Sequence, residues 1–259
     1  MNRWAMQLQY RGSAYCGWQA QSHADSVQAH LEHAIAEVAD HPVSTIVAGR
    51  TDAGVHAAGQ LVHFDSAARR NEKAWVFGVN AKLPDDISVR RAQVVNTAFS
   101  ARFSAVARSY RYLIYNHRAR NALLHQAATW ISWPLDVELM HQAAQCLLGE
   151  RDFSAFRSAE CQSRTPMRNL MAICVRRQRD FVVIDVRANA FLHHMVRNIA
   201  GSLLDVGSGR RPPAWLADVL KSRDRSRAGM TAPAWGLYFL GPHYPAEFGL
   251  PEPEEFFLP

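Results

Sequence analysis

Strand-like and helix-like segments alternate along the whole chain, and this alternation constrains the fold more than any other feature. Residues 5–11 alternate apolar and polar side chains as a half-buried strand does, whereas 26–38 place Val27, Leu31 and Ile35 at helical spacing. Segments with strand periodicity and segments with helix periodicity continue to alternate up to a last predicted strand at 235–241. Because short turn-rich segments separate these elements, the sequence predicts an α+β fold.

Further elements follow from the same periodicities and from capping residues. Asp25 or Ser26 can cap the first helix, and Asp136 can cap a later one. The predicted strands are 5–11, 45–48, 60–65, 87–94, 108–116, 170–176, 181–187 and 235–241, and the predicted helices are 26–38, 71–80, 136–148, 192–206 and 212–220. We interpret them as two similar halves, 1–116 and 117–259. Their antiparallel sheets are expected to join, with helices on one side and a cleft between the halves.

Length and composition exclude several classes of protein. With 259 residues, 48% of them hydrophobic, the chain can bury a sizeable core. No long apolar run is free of charge, which excludes a transmembrane protein, and residues 1–10 lack the apolar stretch of a secretory signal. The four cysteines form no C-x-x-C pair, so we expect free thiols in a reducing cytoplasm.

The chain is basic, with a formal charge of +6, and its arginines cluster. Residues 101–120 carry five arginines and no acid, and 151–179 carry seven arginines against two acids. This distribution fits a polyanion partner such as RNA, with these arginines as contacts to it. An arginine-rich solvated face and the codon bias of a GC-rich genome remain alternatives.

The segment 48–56 has the composition of a chemically active loop. Glycines flank an Arg-Thr-Asp core, and Arg50 and Asp52 project from the same face if the stretch is extended. A carboxylate beside a guanidinium stays ionised, as a nucleophile or a general base must. The alternative is a structural turn in which the Asp52 side chain accepts from the amides of Gly54 or Val55.

Residues 49–56 resemble the catalytic motif of the tRNA pseudouridine synthases of the TruA type. Further segments resemble other motifs of that family in the same order, and together they span nearly the whole chain: 10–12 with 17–19, 109–112, 149–156 with 161–166, 190–197 and 236–238. The resemblance implies that uridine is converted to pseudouridine at positions 38, 39 and 40 of the tRNA anticodon stem-loop. It further implies halves of the RRM or ferredoxin-like type.

The same resemblance implies roles for single residues. Asp52 is the catalytic aspartate, which either attacks C1′ or removes a ribose proton. Tyr110 stacks on the uracil and helps to remove the C5 proton, and Arg197 pairs with Asp52. Arg50 fills the space left by a flipped-out base or holds the phosphate beside it, and Leu237 packs under the uracil. Core packing for Tyr110 and Leu237 and a surface phosphate contact for Arg197 stay open as alternatives.

No metal, nucleotide or organic cofactor is implied, and the family is homodimeric, with one tRNA touching both subunits. Trp130, Trp133 and Phe153 either help to form the subunit contact or belong to the core. We expect no metal site at His193 and His194, because adjacent residues do not converge on one ion from a helix.

Two other classes of function compete with this interpretation. A tRNA-binding module without catalysis would explain the basic stretches, but it would not explain an acid, Asp52, within a basic cleft. A retaining glycosidase requires two convergent carboxylates, and only Asp52 lies in a motif. Activity assays on tRNA and on sugar substrates separate the three.

Overall fold

A computed structural model describes residues 1–256 and confirms the α+β class. This part of the chain contains ten strands: β1 (Asn2–Tyr10), β2 (Ile46–Val47), β3 (His56–Ser66), β4 (Ile87–Val95), β5 (Ala107–Asn116), β6 (Thr129–Ile131), β7 (Gly149–Asp152), β8 (Met167–Gln178), β9 (Phe181–Ala188) and β10 (Leu237–His243). It also contains five α-helices: α1 (Val27–Ala39), α2 (Glu72–Asn80), α3 (Val137–Ala144), α4 (Met195–Gly207) and α5 (Trp215–Ser222). No helix within 1–256 is long and apolar enough to cross a membrane.

The chain divides into two compact units. Unit 1 contains Met1–Arg108 and the segment that starts at Phe239, and unit 2 contains Ser109–Tyr238. The chain from Phe239 to the last described residue therefore belongs to the same unit as its first residues. That the halves 1–116 and 117–259 are two similar domains stays a prediction.

Unit 1 is built on a sheet in the order β4-β1-β3-β10, with β2 beside β3. In β1, Trp4 lies opposite Phe64 of β3 and Val94 of β4, and both pairings are antiparallel. The rings of Trp4 and Phe64 contact the ring of Trp75 from α2, so an aromatic cluster fixes that helix to the sheet. The predicted cap is confirmed at Ser26, whose hydroxyl accepts from the amide of Ala29 at 3.4 Å.

Unit 2 has the strand order β5-β9-β8-β7, with the short β6 parallel to β5. The predicted hairpin is confirmed by β8 and β9, with Gln178 opposite Phe181. Asp136 caps α3, because its carboxylate accepts from the amide of Leu139 at 3.0 Å. Helix α4 lies largely in the core of the unit, since ten of its thirteen residues are buried.

Several predicted boundaries were wrong for local reasons. The predicted helix 136–148 ends as an α-helix at Ala144 and continues as a 3₁₀ turn, Gln145–Leu147. The predicted helix 192–206 begins only at Met195, because His194 has a left-handed backbone with φ of 62°. The four cysteines are free thiols, as predicted.

Candidate active site

The Arg-Thr-Asp segment forms the loop that leads into β3 in unit 1. The amide of Val55 donates to the backbone carbonyl of Asp52 at 3.1 Å, and Gly54 has φ of +77°. Glycine tolerates this conformation, which occurs at the third position of a type II turn. The backbone carbonyl of Asp52 closes this turn, so the turn does not depend on the aspartate side chain, and both alternatives for that side chain stay predictions.

The first loop of the chain fixes this Arg-Thr-Asp loop through backbone hydrogen bonds. The amide of Trp18 donates to the carbonyl of Thr51 at 3.0 Å, and the amide of Gly54 donates to the carbonyl of Tyr15 at 3.3 Å. A Cβ on Gly17 would lie 2.8 Å from the Thr51 carbonyl oxygen, so only glycine lets the two loops approach this closely.

A second glycine contact fixes the end of the same loop. The amide of Gly12 donates to Nδ1 of His56 at 3.0 Å, and a Cβ on Gly12 would lie 1.9 Å from the carbonyl oxygen of Val55. His56 and Val55 are buried. The two ends of the motif are therefore fixed before any ligand binds.

Two polar side chains support the loop from below. The hydroxyl groups of Tyr10 and Thr51 are 2.8 Å apart, and Nε2 of Gln60 donates to the carbonyl of Gly49 at 2.8 Å and to the Tyr10 hydroxyl at 3.2 Å. Burial raises the pKa of Tyr10 to about 12, so its hydroxyl keeps its proton at neutral pH. Sequence reasoning did not identify Tyr10 and Gln60 as a support, since their link to the motif is a tertiary contact.

The backbone of this loop is fixed, but some of its side chains stay accessible to solvent. Thr51 and Val55 are buried, Asp52 is partly exposed, and Arg50 and Ala53 are exposed. Arg50 and Asp52, the two candidate functional residues of the loop, are therefore both accessible to solvent.

The remaining predicted site residues belong to unit 2. Tyr110 lies on β5 and is 9% exposed, and its ring meets the edge of the Phe191 ring with centroids 5.0 Å apart. Leu237 begins β10 and is 5% exposed. The adjacent Tyr238 donates its hydroxyl to the carbonyl of Ala127 at 2.6 Å, which fixes the start of that strand.

Arg197 is held at the start of α4 by a neighbouring backbone segment. Its Nε donates to the carbonyl of Ala232 at 2.8 Å. Its charge favours the ionised form of Tyr112, but burial has the larger effect and raises the pKa of that hydroxyl. Tyr112 itself is a core residue, whose hydroxyl donates to the carbonyl of Pro233 at 2.8 Å.

Helix α4 and the segment around Met230 approach each other through two glycines. A Cβ on Gly201 would lie 1.7 Å from the Met230 carbonyl oxygen, and one on Gly229 would lie 2.8 Å from Cα of Ser202. Asn198, fully buried on the same helix, accepts from Thr231 at 2.7 Å. These contacts fix the segment that carries Ala232.

His193 and His194 precede α4 and are not part of it. The expectation that both histidines lie on a helix was therefore wrong. The centroids of their rings lie 3.9 Å apart. The amide of His193 donates to Sγ of Cys161 at 3.4 Å. Burial alone would raise the pKa of Cys161, but amide hydrogen bonds and the charge of Arg157 outweigh it and lower that pKa.

The arginines of the two basic stretches fall into two groups. Arg111 is buried and donates to the Asp185 carboxylate from Nε at 2.6 Å and from Nη2 at 2.9 Å, and Arg176 binds the same carboxylate. Arg108, Arg157 and Arg168 are buried or half-buried and donate to backbone carbonyls. The exposed group contains Arg102, Arg118, Arg120, Arg151, Arg164, Arg177 and Arg179, and within it Arg177 also donates to the carbonyl of Leu135. Only the exposed arginines of the two stretches therefore remain candidates for contacts with RNA.

The three aromatic residues considered for a subunit contact differ in their burial. Phe153 is 0% exposed and belongs to the core of unit 2. Trp130 and Trp133 are exposed at the surface, and the guanidinium of Arg210 lies over the Trp133 ring, 5.1 Å from its centroid.

Comparison with known proteins gives a consistent assignment. A family model described as tRNA pseudouridine synthase matches residues 6–104 and 143–245. A tRNA pseudouridine synthase A from Cronobacter sakazakii is 55% identical over 249 residues, which cover 96% of this chain and 92% of the relative. Relatives of the same description from Pectobacterium atrosepticum and Escherichia fergusonii are 55% and 54% identical, again over 96% of this chain and over 88% and 92% of their own lengths.

Proposed function

The chain belongs to the tRNA pseudouridine synthase family, and on that premise we propose that it acts at positions 38, 39 and 40 of the tRNA anticodon stem-loop. The enzyme is an isomerase that acts on tRNA. The N1–C1′ bond of uridine breaks, a C5–C1′ bond forms, C5 loses a proton and N1 gains one. Because substrate and product contain the same atoms, the reaction consumes no co-reactant, and we propose that no cofactor takes part.

The rigid loop around Asp52 is the observation that carries this proposal. Hydrogen bonds from the first loop of the chain and from Gln60 fix its backbone, while Asp52 itself stays partly exposed. A carboxylate that acts on a ribose carbon needs such fixed geometry, because misplacement of a reacting group by about 1 Å can lower the rate about 100-fold. Asp52 then either attacks C1′ or removes a ribose proton.

The other site residues supply binding and charge. Arg197, oriented by Ala232, is proposed to keep the Asp52 carboxylate ionised. Tyr110 is proposed to stack on the uracil, and its perpendicular contact with Phe191 supports the ring. Leu237 would pack under the uracil, and the exposed Arg50 would fill the space left by the flipped base or hold the phosphate beside it.

RNA binding outside the catalytic site is assigned to the exposed arginines. Extruding a base from a stem costs a few kcal/mol, and aromatic stacking returns about 1–3 kcal/mol. Arg102, Arg118, Arg151 and Arg164 are exposed and supply phosphate contacts that make up the difference. One site that serves three neighbouring positions must recognise backbone and shape more than base identity.

We further propose the architecture and assembly that the family resemblance implies. The halves 1–116 and 117–259 would be related RRM-like domains whose sheets join around a cleft with Asp52 on one wall. Two copies would form a cytoplasmic homodimer, with exposed Trp133 at the subunit contact and one tRNA touching both copies. Light scattering under assay conditions tests the assembly, and a fully active monomer would contradict it.

Mapping pseudouridine in tRNA from a strain that lacks the gene tests the proposed specificity. The expected result is loss at positions 38, 39 and 40, with recovery when the wild-type gene is supplied. Recovery should fail with Asp52→Asn. Loss at other positions alone would refute the assignment.

A further inference from the structure

Unit 2 contains an open groove that none of the proposed site residues lines. Its volume is about 550 Å³, and it lies between the 120–130 segment and residues 233–235. Aromatic side chains of Tyr115, Trp130 and Trp235 line it, together with Arg120 and His125. This volume lies within the usual range of small-ligand sites, about 300–1,000 Å³.

The indoles in this groove are exposed to an unusual degree for large aromatic residues. Trp130 is 45% exposed and Trp235 is 39% exposed. The indole nitrogen of Trp130 donates to the carbonyl of His117 at 2.8 Å, so one edge of the ring is anchored. An anchored, solvent-exposed indole is a preformed stacking surface, because little side-chain entropy is lost when a ligand covers it.

The residues that line the groove include no acid. Arg120 and His125 line it, Arg118 and His117 are exposed in the same segment, and residues 115–130 contain no Asp or Glu. Aromatic stacking surfaces within an acid-free basic segment match single-stranded nucleic acid, which offers a base and a phosphate at each step. An apolar peptide would leave Arg120 without a partner.

We propose that this groove binds an unpaired nucleotide of the RNA substrate other than the target uridine. Its base stacks against Trp130 and Trp235, and Arg120 binds its phosphate. The proposal rests on the proposed function, since it takes tRNA as the RNA that is bound.

The position of the groove along the chain separates it from the residue proposed to stack on the target uracil. Trp235 is two residues before Leu237, and Tyr115 is five residues after Tyr110 on β5. Five strand residues span about 17 Å. Because side chains alternate along a strand, Tyr115 also projects from the face opposite Tyr110, so a nucleotide bound in the groove is not the one that Tyr110 would contact.

Binding measurements on three variants test this proposal. At one fixed salt concentration, Trp130→Ala should raise the Kd for tRNA about 5- to 150-fold, because it removes one stacking partner. Trp130→Phe keeps an aromatic face and should stay within about 3-fold of wild type. Leu123→Ala is the matched control, because Leu123 is 92% exposed on the same segment but does not line the groove. It should leave the Kd unchanged.

A further variant and a crosslinking experiment distinguish the loss of stacking from misfolding. Trp130→Leu keeps apolar volume without an aromatic ring, so it should bind as weakly as Trp130→Ala while keeping the wild-type melting temperature. tRNA that carries 4-thiouridine should crosslink to the peptide containing Trp130 in the wild-type protein.

Two results would overturn the proposal. One is a wild-type Kd for Trp130→Ala together with no crosslink in 115–130. The other is conversion of an oligomer to monomers by Trp130→Ala with the Kd unchanged, which would assign the groove to a second copy of the chain. Pseudouridine formation by the wild-type enzyme is scored separately, so failure of the proposed function is distinguishable from failure of the groove.

Discussion

Arg197 and Ala232 hold each other through two hydrogen bonds. Nε of Arg197 donates to the carbonyl of Ala232 at 2.8 Å, and the amide of Ala232 donates to the carbonyl of Arg197 at 3.1 Å. The direction of the guanidinium therefore depends on where the chain around Ala232 runs. That position depends in turn on Gly201, whose missing side chain admits the Met230 carbonyl.

Gly201→Ala is expected to damage both stability and activity. The added Cβ would meet the Met230 carbonyl oxygen at 1.7 Å, so the segment must move away from α4. We expect a loss of about 3 kcal/mol or more in the free energy of unfolding, and a fall in kcat at temperatures where the variant is still folded. Gly209→Ala is the control, because Gly209 has φ of +76° and no atom within 4 Å of its Cβ position. It should lose only about 1–2 kcal/mol, and an equal loss in both variants would argue against the clash.

Tyr10 should make stability fall at alkaline pH. Its pKa is about 12 in the folded protein against an ordinary value of 10.0, so the unfolded chain loses its proton first as pH rises. The free energy of unfolding should therefore be independent of this group below about pH 10 and decrease between about pH 10 and about pH 12. Urea denaturation of wild type and Tyr10→Phe over that interval measures the difference.

The phenylalanine variant should show a shallower decrease. It should also lose about 1 kcal/mol at neutral pH, because the hydroxyl contacts with Thr51 and Gln60 are gone. The raised pKa values of Tyr112 and Tyr244 will leave some alkaline decrease in the variant. Identical slopes for the two proteins would show that Tyr10 does not titrate as described.

Asp185→Asn should destabilise unit 2 strongly. The carboxylate neutralises Arg111, whose side chain is 7% exposed, and the substitution removes this ion pair from a buried guanidinium. The expected cost is about 3–5 kcal/mol in urea denaturation. Arg176→Gln is the matched change, because Arg176 is 36% exposed on its side chain and its loss keeps Arg111 paired. It should cost about 1 kcal/mol or less, and a larger loss than in Asp185→Asn would contradict this division.

The exposed arginines should determine how tRNA binding depends on salt. Each arginine that contacts a phosphate contributes about one unit to the slope of log K against log salt concentration. Arg118→Gln and Arg164→Gln should each reduce that slope by about 1 without changing the melting temperature. Arg69→Gln is the control, since Arg69 is exposed but lies outside both basic stretches. A slope that none of these changes alters would refute the assignment of these arginines.

Local patterns predicted most of the fold. The strands and helices with clear periodicity were predicted close to their observed limits, and Ser26 and Asp136 cap the helices that their positions indicated. Strands β6 and β7 were missed, because three and four residues are too few to show an alternation.

Long-range partners could not be predicted from one sequence. In the sequence, Arg111 is a candidate RNA contact, and only the structure shows that it binds Asp185, which is 74 residues away. Gly12, Gly17 and Gly201 are required by backbone segments that only the folded chain brings close. The candidate catalytic residues came from a motif resemblance, whereas the supports from Tyr10, Gln60 and Ala232 came from the structure.

The most direct test of the account is pseudouridine formation by the purified enzyme on an unmodified tRNA transcript, with wild type and Asp52→Asn compared under single-turnover conditions. The variant replaces one oxygen by a nitrogen and keeps the backbone turn at Asp52, which its main-chain carbonyl closes. We expect wild type to form pseudouridine at positions 38–40 and the variant to be slower by at least about 1,000-fold, with an unchanged melting temperature. Wild-type rates in Asp52→Asn would contradict the assignment of Asp52 as the catalytic residue.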